Sequence, residues 1–109
     1  MKRGTIVVVA APGPYTGKPR PAVVVQSDLF NPTHASVTVC PITADIVDAP
    51  LFRLTLLPGS RTGLKRVSQA MLDKIVSVPR GAIVEEIGEC DARELEATDD
   101  ALRRWLALG

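Results

Sequence analysis

Apolar and polar positions along the chain fall into short β-type runs separated by dense clusters of turn-forming residues. Thr5 to Ala10 is β-branched and apolar and runs into Ala11-Pro12-Gly13-Pro14-Tyr15-Thr16-Gly17, so a first strand is predicted to hand over to an exposed loop. Ala22 to Ser27 reads as a second, buried strand, and Asp28 to Ala35 connects it to a third, Ser36 to Thr43, where Val37 and Val39 alternate with Thr38 and Cys40. Phe52 to Leu57 is a fourth strand, closed by the turn-rich basic loop Pro58-Gly59-Ser60-Arg61-Thr62-Gly63. Ser68 to Val78 alternates loosely and predicts one long bent strand that Pro79 stops, with Gly81 to Val84 as a short return.

The pattern then changes period. Asp91 and Glu94 have the spacing of a capping box, Cys90 and Leu95 that of a hydrophobic staple, and Leu95, Thr98, Leu102, Trp105 or Leu106, and Leu108 form a stripe near 3.6 residues per turn. A C-terminal helix covering one end of a sheet is predicted, with Trp105 as part of that cover. The fold class expected is mainly β: a small, SH3-like, partly open antiparallel barrel of five to seven strands with a C-terminal α-helix.

Length limits what this pattern can build. At 109 residues and 46% apolar, the chain supports one hydrophobic core, and residues 1–109 are read as a single domain. No apolar stretch approaches the roughly 20 residues of a membrane span, and Met1-Lys2-Arg3-Gly4 leads straight into a strand rather than a signal sequence, so a cytoplasmic protein is expected. Cys40 inside a strand and Cys90 before a helix read as reduced, buried thiols rather than a bridge.

The net charge of +1 conceals a polarity along the chain. From Arg53 to Arg80 six basic residues (Arg53, Arg61, Lys65, Arg66, Lys74, Arg80) face Asp73 alone, a balance of +5. From Gly81 to Gly109 eight acids outweigh Arg93, Arg103 and Arg104, a balance of −5. The clustering points to a basic binding face in the middle of the chain and an acidic helical flank.

One cation is singled out by its neighbours. Pro19 has a fixed φ and Pro21 keeps the residue before it out of the α region, so Arg20 is held extended at the mouth of the second strand. A guanidinium placed there can fork onto a phosphate. The loop at residues 58–63 is not a phosphate-cradling P-loop, since Gly63 is followed by Leu64-Lys65 rather than Lys and Ser or Thr. One histidine and two distant cysteines give no metal-ligand spacing, and neither metal nor cofactor is expected. His34, the one histidine, lies in the loop before the third strand.

Arg3-Gly4, Arg20-Pro21 opening a valine run, Pro41-Ile42-Thr43, Gly63-Leu64-Lys65, Asp73-Lys74-Ile75-Val76-Ser77-Val78 and a capped terminal helix, in this order, resemble the MazF/PemK family of toxin endoribonucleases over nearly the whole chain. That resemblance implies the toxin component of a type II toxin-antitoxin system: a homodimer, metal-independent sequence-specific cleavage of single-stranded RNA to 2′,3′-cyclic phosphate and 5′-hydroxyl ends, and neutralisation by a cognate antitoxin. It places the family's catalytic arginine on Arg20 and its threonine on Thr43, with Asp73 matching an acidic position near the scissile phosphate in some members. The chain departs from the family at Met71, where some members carry an assisting arginine, and at Tyr15-Thr16-Gly17-Lys18-Pro19 in the first loop. His34 matches no family position.

RNA carries its own nucleophile, so cleavage needs positioning and charge stabilisation more than a protein nucleophile. Arg20 suits electrostatic stabilisation better than proton abstraction, because a guanidinium holds its proton too firmly for base catalysis near neutrality. Asp73 is a conceivable base, or a structural partner of Lys74 or Arg80. Lys18, Ser60, Arg61, Lys65 and Lys74 are candidate contacts along the RNA backbone, and Tyr15 the candidate stacking residue. The alternative is a gyrase-binding toxin of the CcdB type, which shares the barrel and a strand ending like Val25-Gln26-Ser27-Asp28 but ends in Trp-Gly-Ile, whereas this chain ends Trp105-Leu106-Ala107-Leu108-Gly109. A catalytically silent nucleic-acid-binding barrel is the remaining option.

Overall fold

The computed structural model describes residues 1–10 and 18–109. Seven strands, β1 (Thr5–Val9), β2 (Arg20–Val24), β3 (Ser36–Thr43), β4 (Arg53–Leu56), β5 (Ser68–Met71), β6 (Val76–Pro79) and β7 (Ile83–Glu89), precede one helix, α1 (Ala92–Leu106). The sheet order is β4-β5-β3-β2-β1-β7, with β6 also on β3. All its pairings are antiparallel.

The valine run of β2 shows why the sheet curls. Val23 packs with Ile6, Cys40, Ile42, Leu56, Leu72 and Leu102 under α1, whereas Ala22 and Val24 pack with Val7, Val37, Val39 and Val78 on the opposite face. Alternate residues of one strand are buried on both sides, which requires the sheet to fold over itself or be covered twice. Beyond Val24 the ladder ends in a bulge-like pair, Val25 and Gln26 both donating their N–H to the Thr38 carbonyl at 3.1 and 3.2 Å.

The single long strand expected over Ser68 to Val78 is two strands. A 3-10 turn at Leu72–Lys74 separates them. β5 pairs with the C-terminal end of β3 (Ile42 with Ala70, Thr43 with Gln69), and β6 with its N-terminal half (Val37 with Val78). The chain must cross from one to the other, and Leu72 does so by donating its N–H to the Phe52 carbonyl at 3.0 Å instead of to β3. The short return is also longer than expected, since β7 extends through Glu89 along β1 with two register irregularities.

β4 and β7 are the ends of the strand order, and the loop after β4 joins them. The Glu89 N–H donates to the Arg61 carbonyl at 2.9 Å. The approach leaves no room for a side chain: a Cβ on Gly63, whose φ is +73°, would lie 2.0 Å from the Ile87 carbonyl oxygen, and one on Gly88 would lie 2.3 Å from the Thr62 carbonyl oxygen. These contacts close the barrel through a loop rather than a ladder.

The helix begins as its sequence requires. Asp91 accepts the Glu94 N–H, and the Glu94 carboxylate accepts the Asp91 N–H, both at 2.8 Å. Thr98, Ala101 and Leu102 bury its inner stripe, while Trp105 is 49% exposed and tilts against Phe52 with ring centroids 5.9 Å apart. At the other end of the chain Arg3 holds the N-terminus to the helix, its guanidinium 2.6 Å from Asp99. Cys40 and Cys90 are free thiols, both pushed up to about 12 by burial.

A cationic groove at the end of the β2–β3 ribbon

Arg20 opens β2 and Thr43 closes β3, and the antiparallel register brings them to the same end of the ribbon. The ladder runs Val24 to Val39, Val23 to Cys40 and Ala22 to Pro41, and Arg20 and Thr43 each stand two residues beyond its last pair. On its other side Arg20 pairs with Val9 of β1, so its backbone is fixed in a ladder while its side chain is exposed.

Both residues line one groove of about 350 Å³, together with Lys18, Pro21, Lys65, Arg66 and Ser68. Four cations therefore border it. No carboxylate does so among the described residues. Leu64, buried in the core, anchors the segment that presents Lys65 and Arg66, so these two flexible side chains rise from a fixed base. Arg66 was counted in the sequence only towards local charge; its place directly after Lys65, ahead of β5, was the available signal.

Thr43 is half-buried and its hydroxyl is oriented. The oxygen accepts the N–H of Asp45 at 3.1 Å. With that lone pair engaged by a donor, the hydroxyl hydrogen is left to donate elsewhere. The groove can thus offer a guanidinium fork, a hydroxyl donor and flanking ammonium groups to an anion.

The other described residues named from the sequence do not line this groove. Asp73 sits in the 3-10 turn, with its side chain 19% exposed and 4.0 Å from the Lys74 ammonium. Lys74 is exposed beside it. Ser60 is exposed on the closing loop. Arg61 forks onto Glu94 at 2.6 and 3.2 Å and donates to the Glu89 carbonyl at 2.9 Å. The Glu94 hydrogen bond raises the guanidinium's affinity for its proton further. Arg80 donates to the His34 and Asn31 carbonyls and ties the loop before β3 to the end of β6. Tyr15 lies outside the described residues. Among the described residues no group of three or more His, Cys, Asp or Glu side chains has metal-binding geometry, and no helix among them is long and apolar enough to cross a membrane.

Residues 2–106 match the family of PemK-like, MazF-like toxins of type II toxin-antitoxin systems. The chain is 44% identical over 108 residues to the probable endoribonuclease MazF of Mycolicibacterium smegmatis, covering 99% of this chain and 98% of that protein. In fold it resembles Mycobacterium tuberculosis toxin MazF-mt6, with a TM-score of 0.82 at 21% identity over 96% of this chain and 98% of that one. It also resembles an endoribonuclease solved with its cognate antitoxin from a mycobacterial species, with a TM-score of 0.82 at 18% identity over 100% and 97% of the two chains.

Proposed function

The chain belongs to the PemK-like, MazF-like toxins, and from that premise we propose that it is an endoribonuclease that cuts single-stranded RNA without a metal ion. The observation that carries this reading is the convergence of Arg20 and Thr43 on one groove bordered by four cations.

A scissile phosphate in that groove meets a guanidinium at the point where negative charge grows. The 2′-oxygen forms its bond to phosphorus as the bond to the 5′-oxygen breaks. The 2′ proton leaves to solvent and the departing oxygen takes one from solvent, giving a 2′,3′-cyclic phosphate and a 5′-hydroxyl. Arg20 donates two hydrogen bonds to the non-bridging oxygens and Thr43 adds its hydroxyl, so both strengthen most in the pentacovalent state. Lys18, Lys65 and Arg66 hold the neighbouring phosphates.

In this reading Arg61 braces the barrel rather than the RNA, because Glu94 and the Glu89 carbonyl already engage three of its five N–H groups. Asp73, which does not border the groove, is assigned to the turn between β5 and β6. Ser60 and Lys74 are peripheral to the bound strand. We further propose that it works in the cytoplasm as a homodimer and that an antitoxin holds it in check, the last of these supported by the family's description as toxins of type II toxin-antitoxin systems.

The nucleophile assignment is tested with an oligoribonucleotide carrying a single 2′-deoxy nucleotide at the mapped cut site, in excess chelator. The unmodified strand is expected to be cut and the 2′-deoxy strand to be bound but left intact. Cleavage of both would refute attack by the 2′-hydroxyl.

A further inference from the structure

Beyond Thr43 the backbone turns through residues 44–48 towards β4 without joining any strand. Four of its backbone polar groups are nonetheless bonded. The Asp45 N–H donates to Thr43 Oγ1 at 3.1 Å, and the Asp45 carbonyl accepts from Arg53 Nη1 at 3.1 Å. The Val47 N–H donates to Gln69 Oε1 at 3.1 Å, and the Val47 carbonyl accepts from Gln69 Nε2 at 3.0 Å. Arg53 Nη1 also donates to Gln69 Oε1 at 2.9 Å.

Gln69 is only 5% exposed and faces Thr43 across the β3–β5 ladder. A primary amide carries a donor and an acceptor with the spacing of a peptide unit, so Gln69 serves Val47 as one more strand residue would. Both lone pairs of its oxygen are engaged, one by a charged donor, which fixes the amide in a single orientation. The turn is thereby held at Val47 by Gln69 and at Asp45 by Arg53, and the Asp45 N–H in turn holds the Thr43 hydroxyl.

We propose that Gln69, backed by Arg53, is the positioning residue that locks the turn after Thr43 and thereby aims the Thr43 hydroxyl at the phosphate. This rests on the RNA-cleavage reading above. A hydroxyl can rotate, and its contribution to a developing charge depends on being held in place before the reaction. Neither a carboxylate nor a thioether can replace the amide, since the first lacks the donor for the Val47 carbonyl and the second lacks both groups.

The test is a double-mutant cycle with Gln69→Met, close in size, and Thr43→Val, read by single-turnover cleavage of single-stranded RNA and by amide hydrogen exchange without RNA. Gln69→Met is expected to slow cleavage about tenfold with RNA affinity within about twofold, and the double variant to be no slower than Thr43→Val alone. Exchange at the Asp45 and Val47 amides is expected to accelerate in Gln69→Met. Losses that multiply in the double variant overturn the proposal, as does an unchanged rate in Gln69→Met. Unchanged exchange at both amides overturns the clamp itself. Wild-type protein that fails to cut RNA while the exchange result holds overturns instead the nuclease reading on which the positioning role depends. Should Gln69→Met fail to fold, Arg53→Met, which removes the bond to the Asp45 carbonyl, is carried through the same cycle with the same criteria.

Discussion

Replacing Arg61 by Met keeps the aliphatic stem and removes the guanidinium, which separates bracing of the barrel from contact with RNA. Three bonds are lost: the fork onto Glu94 at 2.6 and 3.2 Å and the bond to the Glu89 carbonyl at 2.9 Å. The Arg61 side chain is 42% exposed and that of Glu94 15%, so solvent screens the ion pair and its worth lies in the small range of surface pairs. The bond to the Glu89 carbonyl is lost with it. Glu94 keeps its capping-box bond to the Asp91 N–H, so the helix start survives. Losing both contacts lowers the melting temperature of a domain this size by roughly 5 °C.

The assay is thermal unfolding alongside RNA cleavage at 25 °C, in low and in about 1 M salt. The melting point should fall by roughly that amount, the gap should narrow in high salt as the Debye length shrinks to about 3 Å, and cleavage at 25 °C should stay within about twofold of wild type. An unchanged melting point combined with weaker RNA binding and a salt slope reduced by about one ion would refute the reasoning and return Arg61 to the RNA-binding face.

Three further outcomes follow from other parts of the structure. Thr43→Val keeps the shape and removes the hydroxyl, and should slow single-turnover cleavage at least about tenfold with the melting point little changed; equal rates would reduce Thr43 to a strand terminus. Gly88→Ala forces a Cβ to within 2.3 Å of the Thr62 carbonyl and should cost more than about 2 kcal/mol in urea unfolding, while normal stability would show that the loop-to-β7 closure is not needed. Cys40 is 0% exposed and its thiol is pushed up to about 12, so the folded state holds the neutral form. Stability is therefore complete below the unfolded thiol's pKa and declines above about pH 9 by about 1.4 kcal/mol per pH unit until about 12 for this thiol; Cys90, raised likewise, adds an equal slope, so Cys40→Ala should roughly halve the decline, and an unchanged decline would contradict the assignment.

What could be read from the sequence was whatever a local rule governs. Strand β2 and the extended Arg20 follow from Pro19, Pro21 and the β-branched run, and the helix start follows from Asp91 and Glu94, whose reciprocal bonds are present. The meeting of Arg20 and Thr43 depends on register, which the two packed faces of β2 and β3 fix together, because a one-residue slip would send the side chains of one buried cluster into the other.

Features set by distant partners were hidden. The break at Leu72–Lys74 arises because β3 is shared between β5 and β6, and nothing in the local alternation of Ser68 to Val78 encodes a change of partner. Arg61 sits in a basic loop and looked like an RNA contact, yet its acidic partner Glu94 lies 33 residues away. Gln69 gave no signal at all, because a buried amide gains its meaning only from the backbone turn that it bonds. The basic segment from Arg53 to Arg80 likewise divides in three dimensions: Lys65 and Arg66 border the groove, while Arg53, Arg61 and Arg80 brace backbone carbonyls.

The central claim is that a guanidinium fixed at the start of β2 supplies the charge stabilisation for RNA cleavage. The most direct measurement is the single-turnover rate of Arg20→Ala on single-stranded RNA in excess chelator, alongside wild type and a melting curve for each. Wild type should cut under these conditions, and Arg20→Ala should be at least about a hundredfold slower with its fold intact. A folded Arg20→Ala protein that cleaves at the wild-type rate, or a wild type that needs added metal, would contradict the account.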